Sequence, residues 1–346
     1  MRRIKHFPII LNILVVICTF LAYTSAFVHP SNNSFIAVMG LLFPILFLIN
    51  VAFILGWLAL KKYYALLSLA ILALGWNPIK GLVKVGGIPA VDDKSEIFTI
   101  GTLNAHQLFN IAASRRPTSD QMEELSELVL HPDILCIEEG GIAHRFREAM
   151  GYKFKRRIPS SNSMLFSNYP ILAAEQLDLA PHKSLSGWFD IDMGRDTFRL
   201  FLLHLTSNRI TADSERLMEE GDIRDSETWG ELRDLIGRYA RAASARADQA
   251  KVIRAYIDNS PYPVIVCGDF NDVPTSYTLA KIKGDLNDSF VCAGNGFGTT
   301  YAGKVPGLRI DYVLADSKFR IISHEVPKLN VSDHNPVIVG IQITDL

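Results

Sequence analysis

Pro8–Val28, Phe35–Leu58 and Tyr63–Val83 form three nearly uncharged runs rich in Ile, Leu, Val and Phe. So much apolar chain in so short a segment fits poorly into a water-soluble core. Each run approaches the roughly 20 apolar residues that carry a helix across a bilayer. The third is the most broken, by Asn77, Pro78 and Lys80. A cleaved signal peptide would explain the first run alone, but its apolar stretch would be too long, and two more runs follow at once. About three transmembrane helices are therefore expected within residues 1–93, ahead of a second domain over 94–346.

The short flanks set an orientation. Arg2, Arg3 and Lys5 precede the first run and Lys61-Lys62 precede the third, while the His29–Ser34 loop carries no Lys or Arg. By the positive-inside rule the N-terminus and the lysine pair face the cytoplasm, so three crossings leave the rest of the chain outside it. Lys80 and Lys84 pull weakly the other way.

Charge is distributed as unevenly as hydropathy. Residues 1–95 hold eight Lys/Arg and two Asp/Glu, leaving 27 basic and 34 acidic residues in the remainder, a net of −7. Non-specific binding to long polyanions relies on clustered cations that displace counterions. No basic stripe is evident, although Lys153, Lys155, Arg156 and Arg157 form one local patch, so duplex nucleic acid is disfavoured as the main substrate. Cys18, Cys136, Cys267 and Cys292 show neither a disulfide framework nor zinc spacing, and read as small buried residues.

Beyond Lys94 the pattern turns to short strands and helices. Glu96–Leu103, Ile134–Ile137, Met164–Phe166, Phe198–Leu203, Val264–Cys267, Ile310–Leu314 and Val337–Ile341 have strand composition. Helical spacing marks Ser119–Val129 and a long segment from Glu227 to Ile257, with Leu232, Ile236, Tyr239, Ala243, Ala250, Ile253 and Ile257 on its apolar face. Thr211–Trp229, dense in Asp, Glu and Arg, reads as a solvated excursion. One α/β domain with a substantial core follows.

Five short segments carry the chemistry: Thr-Leu-Asn (102–104), Asp-Ile-Leu-Cys-Ile-Glu-Glu (133–139), Gly-Asp-Phe-Asn-Asp (268–272), Arg-Ile-Asp-Tyr (309–312) and Ser-Asp-His-Asn-Pro (332–336). Most follow or interrupt an apolar run, which puts their polar groups at strand ends. Glu139 follows Ile134–Ile137, and Asp269 and Asn271 stand two apart, so in extended chain they face the same way. His334 is the strongest candidate imidazole, with Asp311 placed to orient it, and His204 is a second. His106, His131, His144, His182 and His324 have no comparable setting. Oxygen ligands suit a hard divalent cation, and phosphate-ester cleavage needs a cation, a base and a charge stabiliser.

In this order, together with Gly-Thr-Thr-Tyr (298–301), the segments resemble the endonuclease/exonuclease/phosphatase superfamily over about residues 96–346. The resemblance implies a four-layer α/β sandwich, two packed sheets flanked by helices. It implies Glu139 as the main Mg²⁺ ligand (Mn²⁺ being the alternative ion), with Asp333 as a second metal-site carboxylate and Asn104 near metal and phosphate. Asp269 would align or deprotonate water, Asn271 would contact phosphate, His334 would act with Asp311, and His204 would be the second histidine. The chain departs from the pattern at Glu138, where the family has Gln, at Leu202, where it has Asn, and at Ser160–Ser163, which lacks the Tyr of abasic-site enzymes.

The expected function is a membrane-anchored, Mg²⁺-dependent phosphodiesterase or phosphatase acting on a lipid-linked or small phosphorylated substrate. An envelope nuclease is the enzymatic rival. A binding protein with a dead site is the rival of another class, opposed by the retained acidic and imidazole set.

Overall fold

The computed structural model describes residues 6–86, 97–105, 131–140, 151–183, 185–194, 196–208, 213, 216–217, 224–303, 307–328 and 332–343. The expected boundary near residue 93, the helix over Ser119–Val129 and most of the 211–229 excursion lie outside these residues.

The apolar front forms α1 (Phe7–Thr24), α2 (Ser34–Leu41), α3 (Phe43–Ala59), α4 (Ala65–Leu74) and α5 (Trp76–Leu82). Among the described residues, only α1 is by itself long and apolar enough to cross a membrane, at 18 residues with a mean hydropathy of 2.2. At 1.5 Å per residue it reaches about 27 Å, close to the thickness of a bilayer's hydrocarbon core. The other two expected spans are not continuous helices: α2 meets α3 at 61°, and α4 meets α5 at 80°. Each break has a local cause. Pro44 opens α3, where its missing N–H costs nothing, and Gly75 separates α4 from α5.

Polar side chains tie these helices together. Asn12 donates to Ser68 Oγ at 2.7 Å and accepts from Trp57 Nε1 at 3.0 Å, while Asn50 donates to Thr19 Oγ1 at 2.8 Å. Outward lie Phe7, Ile10, Leu14, Ile17, Phe20, Leu48, Leu55 and Leu66, all exposed. An apolar surface of that extent marks a face built for lipid or a partner rather than for water.

The remaining chain builds two six-stranded sheets. One contains β2 (Ile97–Asn104), β3 (Ile134–Glu138), β4 (Phe154–Arg157), β5 (Met164–Ser167), β13 (Phe319–Glu325) and β14 (Val337–Ile343), in the order β13-β14-β2-β3-β5-β4. The other contains β6 (Ile171–Gln176), β7 (Gly187–Asp192), β8 (Thr197–His204), β9 (Val264–Asp269), β10 (Asn287–Asp288) and β12 (Asp311–Ala315), in the order β10-β12-β9-β8-β7-β6. A two-stranded ladder joins β1 (Val83–Lys84), at the end of the apolar front, to β11 (Gly296–Phe297). Each large sheet has one parallel pair, β2–β3 and β8–β9, and its other pairs are antiparallel.

Period-two alternation sorts the apolar residues of β8 into two layers. Leu200 and Leu202 face the other sheet in a core with Phe98, Ile100, Cys136, Leu165, Ile265 and Cys267. Phe201 and Leu203 face α6 (Ser226–Asp258) and α7 (Tyr277–Lys283), meeting Ala250, Ile253, Ile257, Leu279 and Ile282. A short helix, α8 (Ser289–Ala293), packs near β12 and β13. The protein is thus mixed α/β, two packed sheets flanked by helices. Asp225 caps α6 by accepting from Glu227 N–H, so the helix begins at Ser226, one residue ahead of the expected start. One expected core position fails: Ile236 is 42% exposed and Leu235 is buried instead.

Candidate active site

Both parallel pairs end at the same edge of the sandwich. In register, Asn104 lies beside Glu138 in one sheet, and His204 beside Asp269 in the other. Asp311 opens β12 directly opposite Asp269. Gly268 is required at this edge: its φ is +125°, and a Cβ there would overlap the Leu203 carbonyl oxygen.

Asp269 is the hub. One oxygen, Oδ2, accepts from Asn104 Nδ2 at 3.0 Å and Asn271 Nδ2 at 2.9 Å, and the other, Oδ1, accepts from Asn271 N–H at 2.7 Å. His334 Nδ1 contacts Asp311 Oδ1 and Oδ2 at 3.1 and 3.0 Å, which turns its Nε2 toward Asp269 Oδ2, 4.0 Å away. His204 Nε2 lies 3.3 Å from Glu139 Oε1. Asp333 adjoins through its neighbour His334, and its Oδ1 is buried without a hydrogen-bond partner. The structure thus gathers Asn104, Asp269, Asn271, Asp311 and His334 by direct contact, with Glu139 and His204 paired beside them.

Two of these residues carry a backbone that L-amino acids seldom adopt. Glu139 has φ +54° and Asn271 φ +53°. Such left-handed positions cost free energy and persist where surrounding structure imposes them. Here the loop after each strand turns sharply enough to aim the side chain back over the strand end.

Burial and charge set the protonation. Burial works to lower the His334 imidazole, but the Asp311 and Asp269 carboxylates outweigh it and push it up to about 10. Burial raises the Asp269 carboxyl; His334 opposes this, Asp311 adds to it, and the net shift is upward. Glu138 is pushed well above the usual carboxylate range, first by burial and then by Asp311 and Asp269, against the hydrogen bond from Thr102 Oγ1 at 2.8 Å. A carboxyl kept neutral has the donor and acceptor character of the Gln whose place it takes.

Three contributors were not among the expected site residues. Ser332 Oγ donates to the Asn104 carbonyl at 2.7 Å and accepts from His334 N–H at 3.1 Å, locking two motifs together. Thr300 Oγ1 accepts from the N–H groups of Ile310 and Asp311 at 3.0 and 3.1 Å. Arg246, fully buried on α6, donates to Asp272 Oδ2 at 3.0 Å and to the Thr206 carbonyl at 3.0 Å. The signal for Arg246 was available: it falls between Ala243 and Ala250 on the apolar face of the helix.

Ligand atoms of Asp269, Asp311 and His334 all lie within 4.8 Å of one another, a group that could hold a metal ion. This is not the expected metal set of Glu139, Asp333 and Asn104. His334 Nδ1 is already committed to Asp311, which favours reading the tight group as a proton-handling cluster. The chemistry of the expected set would suit a hard cation. It offers hard oxygen donors, and the unpartnered Asp333 Oδ1 is the orphan atom that a bound cation would satisfy.

Two sheets that converge on a carboxylate–imidazole cluster at their strand ends define a hydrolase-type site. A sequence profile of the Endonuclease/Exonuclease/phosphatase family matches residues 102–334, and the chain belongs to that family, whose members are typically phosphoesterases and nucleases. A second profile, of a domain of unknown function, matches residues 5–82, the apolar front. No curated protein matches the chain.

Solved structures share the fold. An endonuclease/exonuclease/phosphatase from Bacteroides vulgatus aligns at 15% identity and a TM-score of 0.53, covering 72% of this chain and 100% of that one. A family protein from Bacteroides thetaiotaomicron gives 16%, 0.51, 72% and 96% in the same order. A humanized D. rerio TDP2 gives 15%, 0.52, 71% and 98%. At these identities the likeness speaks for the fold alone.

Proposed function

We propose that this protein is a membrane-anchored, divalent-cation-dependent phosphoesterase acting on a lipid-linked or small phosphorylated substrate. The observation that supports it most is the Asp269 carboxylate, gripped by Asn104 and Asn271 on one side and faced by the Asp311–His334 pair on the other. Glu139, Asp333 and Asn104 would hold the cation, Mg²⁺ or Mn²⁺, which when bound supplies charge neutralisation to the phosphate.

The chain's own residues supply the rest. Asp269 orients a water and takes its proton at a carboxylate oxygen, a role suited to a carboxyl whose pKa burial has raised. The water oxygen forms its bond to phosphorus as the ester P–O bond breaks, and the departing oxygen is protonated from solvent. His334, held as an imidazolium by Asp311, donates a hydrogen bond from Nε2 to a non-bridging phosphate oxygen. Asn271 and His204 complete the phosphate contacts.

The anchor belongs to the same proposal. The bent pairs α2–α3 and α4–α5 would each cross as a broken span, tied to α1 by the Asn12, Thr19, Asn50 and Ser68 contacts. Three crossings would place Lys61-Lys62 in the cytoplasm and the catalytic cleft outside it. Among the described residues, the exposed basic strand β4 favours a nucleic-acid substrate instead.

The test is a hydrolysis screen of the full chain in detergent micelles with Mg²⁺, over phospholipids, inositol phosphates and oligonucleotides. The expected result is chelator-sensitive turnover of a lipid or inositol phosphate. Turnover of oligonucleotides alone selects the nuclease reading, and no turnover of any phosphate ester contradicts both.

A further inference from the structure

We propose that the apolar helices hold the catalytic loop in place rather than merely tethering it, which makes Thr275 and Ser25 positioning residues. The inference rests on the phosphoesterase reading above for its effect on rate, but its geometry is independent of it.

The loop in question starts at Asn271, whose amide and backbone N–H both hold Asp269. Four residues on, Thr275 is buried at 4% exposure. Its Oγ1 donates to the Gly40 carbonyl of α2 at 2.8 Å, and its own carbonyl lies 2.6 Å from Ser25 Oγ, just past α1, whose single hydroxyl proton is shared with the Ala22 carbonyl at 2.7 Å. One side chain and one carbonyl of the loop are thus bonded to two different helices of the apolar front. Pro274 sits against α5, where a Cβ on Gly81 would approach it to 3.1 Å.

A second arm reaches the same loop through α6. Tyr239 and Ala243 are buried in one apolar cluster with Ala37, Val38 and Met39 of α2 and Val15 and Ala22 of α1. One turn further along α6, Arg246 bonds to Asp272 and to the Thr206 carbonyl, while Tyr239 Oη donates to Asp272 Oδ1 at 3.3 Å. The loops that follow His204 and Asp269 are therefore both fixed to a helix that is itself packed on the apolar bundle.

This matters because Asn271 sits in a left-handed conformation that its surroundings must impose. Releasing the far end of a short loop lets such a residue relax, and with it the carboxylate it holds. A misplacement of about 1 Å remote from the chemistry can cost on the order of 100-fold in rate.

The experiment uses the full chain in micelles and a water-soluble phosphodiester, bis(p-nitrophenyl) phosphate, which requires no membrane. A passive tether is irrelevant to such a substrate, whereas a clamp is not. Thr275→Val keeps the shape and deletes the donor; Thr275→Ser restores it; Ser25→Ala breaks the contact from the other side. The clamp predicts a kcat loss on the order of 10-fold in Thr275→Val and Ser25→Ala, KM nearly unchanged, and recovery in Thr275→Ser. Equal kcat in all four proteins overturns it. Hydrogen exchange at the Asn271 amide separates this outcome from failure of the activity reading. If the parent hydrolyses no phosphate ester, faster exchange in Thr275→Val still supports the clamp, and unchanged exchange overturns it.

Discussion

Two buried histidines, His324 and His334, are driven in opposite directions by their neighbours. At His324, burial pushes the imidazole down to about 4, and the nearby Arg309 adds to that effect against Asp288. At His334, burial acts in the same sense, yet the Asp311 and Asp269 carboxylates reverse it and carry the group to about 10. The difference is charge balance. Asp288 and Arg309 neutralise each other through bonds of 2.9 and 2.8 Å, and the guanidinium holds the Asp288 carboxyl below its ordinary value despite burial. Among the described residues, the ion pairs of Asp269 and Asp311 run to His334 alone. A balanced buried cluster fixes structure; a buried cluster with excess negative charge is a place for positive charge to bind.

The contrast can be broken from either side, most severely in the cleft. Asp269→Asn keeps the size but removes the proton acceptor and sets an amide NH2 against the donors of Asn104 or Asn271, so hydrolysis should fall to background with at most a modest drop in the thermal midpoint. Wild-type turnover would remove Asp269 from the mechanism. His334→Ala should lower kcat by roughly 10²–10³-fold, the range for removing one preorganised charge-stabilising donor; a loss below that range would make the imidazole structural.

The balanced cluster should respond in stability instead. Asp288→Asn leaves the buried Arg309 uncompensated, which costs about 3–5 kcal/mol in comparable cases. Chemical denaturation measures this directly, and a change near zero would mean that Arg309 finds another partner. The smallest effect is expected at His324. Its native form is neutral, so between the unfolded value of about 6.5 and the folded value of about 4 the unfolded chain binds more protons. Its contribution is intact above that window and lost as pH falls through it, by at most about 3 kcal/mol. His324→Asn keeps an acceptor for Ser289 and should flatten the acid side of the stability profile. An identical slope in both proteins would show that His324 does not titrate there.

Much of the arrangement was legible because strands that end in a polar residue advertise it. Asn104, Glu139, His204 and Asp269 all close or follow strands whose apolar runs are plain in the sequence, and register sets Asn104 beside Glu138 in one sheet and His204 beside Asp269 in the other. Elements without that contrast stayed hidden. The edge strand β4 is Phe-Lys-Arg-Arg, exposed throughout, and β6 reads Ile-Leu-Ala-Ala-Glu-Gln, neither with a clean alternation. The breaks between α2 and α3 and between α4 and α5 were masked because neither Leu42 nor Gly75 interrupts the apolar residues around it, and the polar Asn77 and Lys80 fall after the second bend. Ser332 and Thr300 were invisible for a different reason: a hydroxyl that ties two motifs together depends on pairing across more than 200 residues in the first case and on a turn in the second. The exposed Ile236 shows the limit of helical spacing, which drifts by a residue over a helix as long as α6.

The central claim is that Glu139, Asp333 and Asn104, beside the proton-handling cluster, hold a divalent cation. Mn²⁺ binding to the full chain in micelles, followed by electron paramagnetic resonance, tests it without any substrate. The account predicts saturable binding that is weakened in Glu139→Gln and unchanged in Asp288→Asn protein that has stayed folded. No saturable binding to the parent, or equal binding in Glu139→Gln, would contradict it.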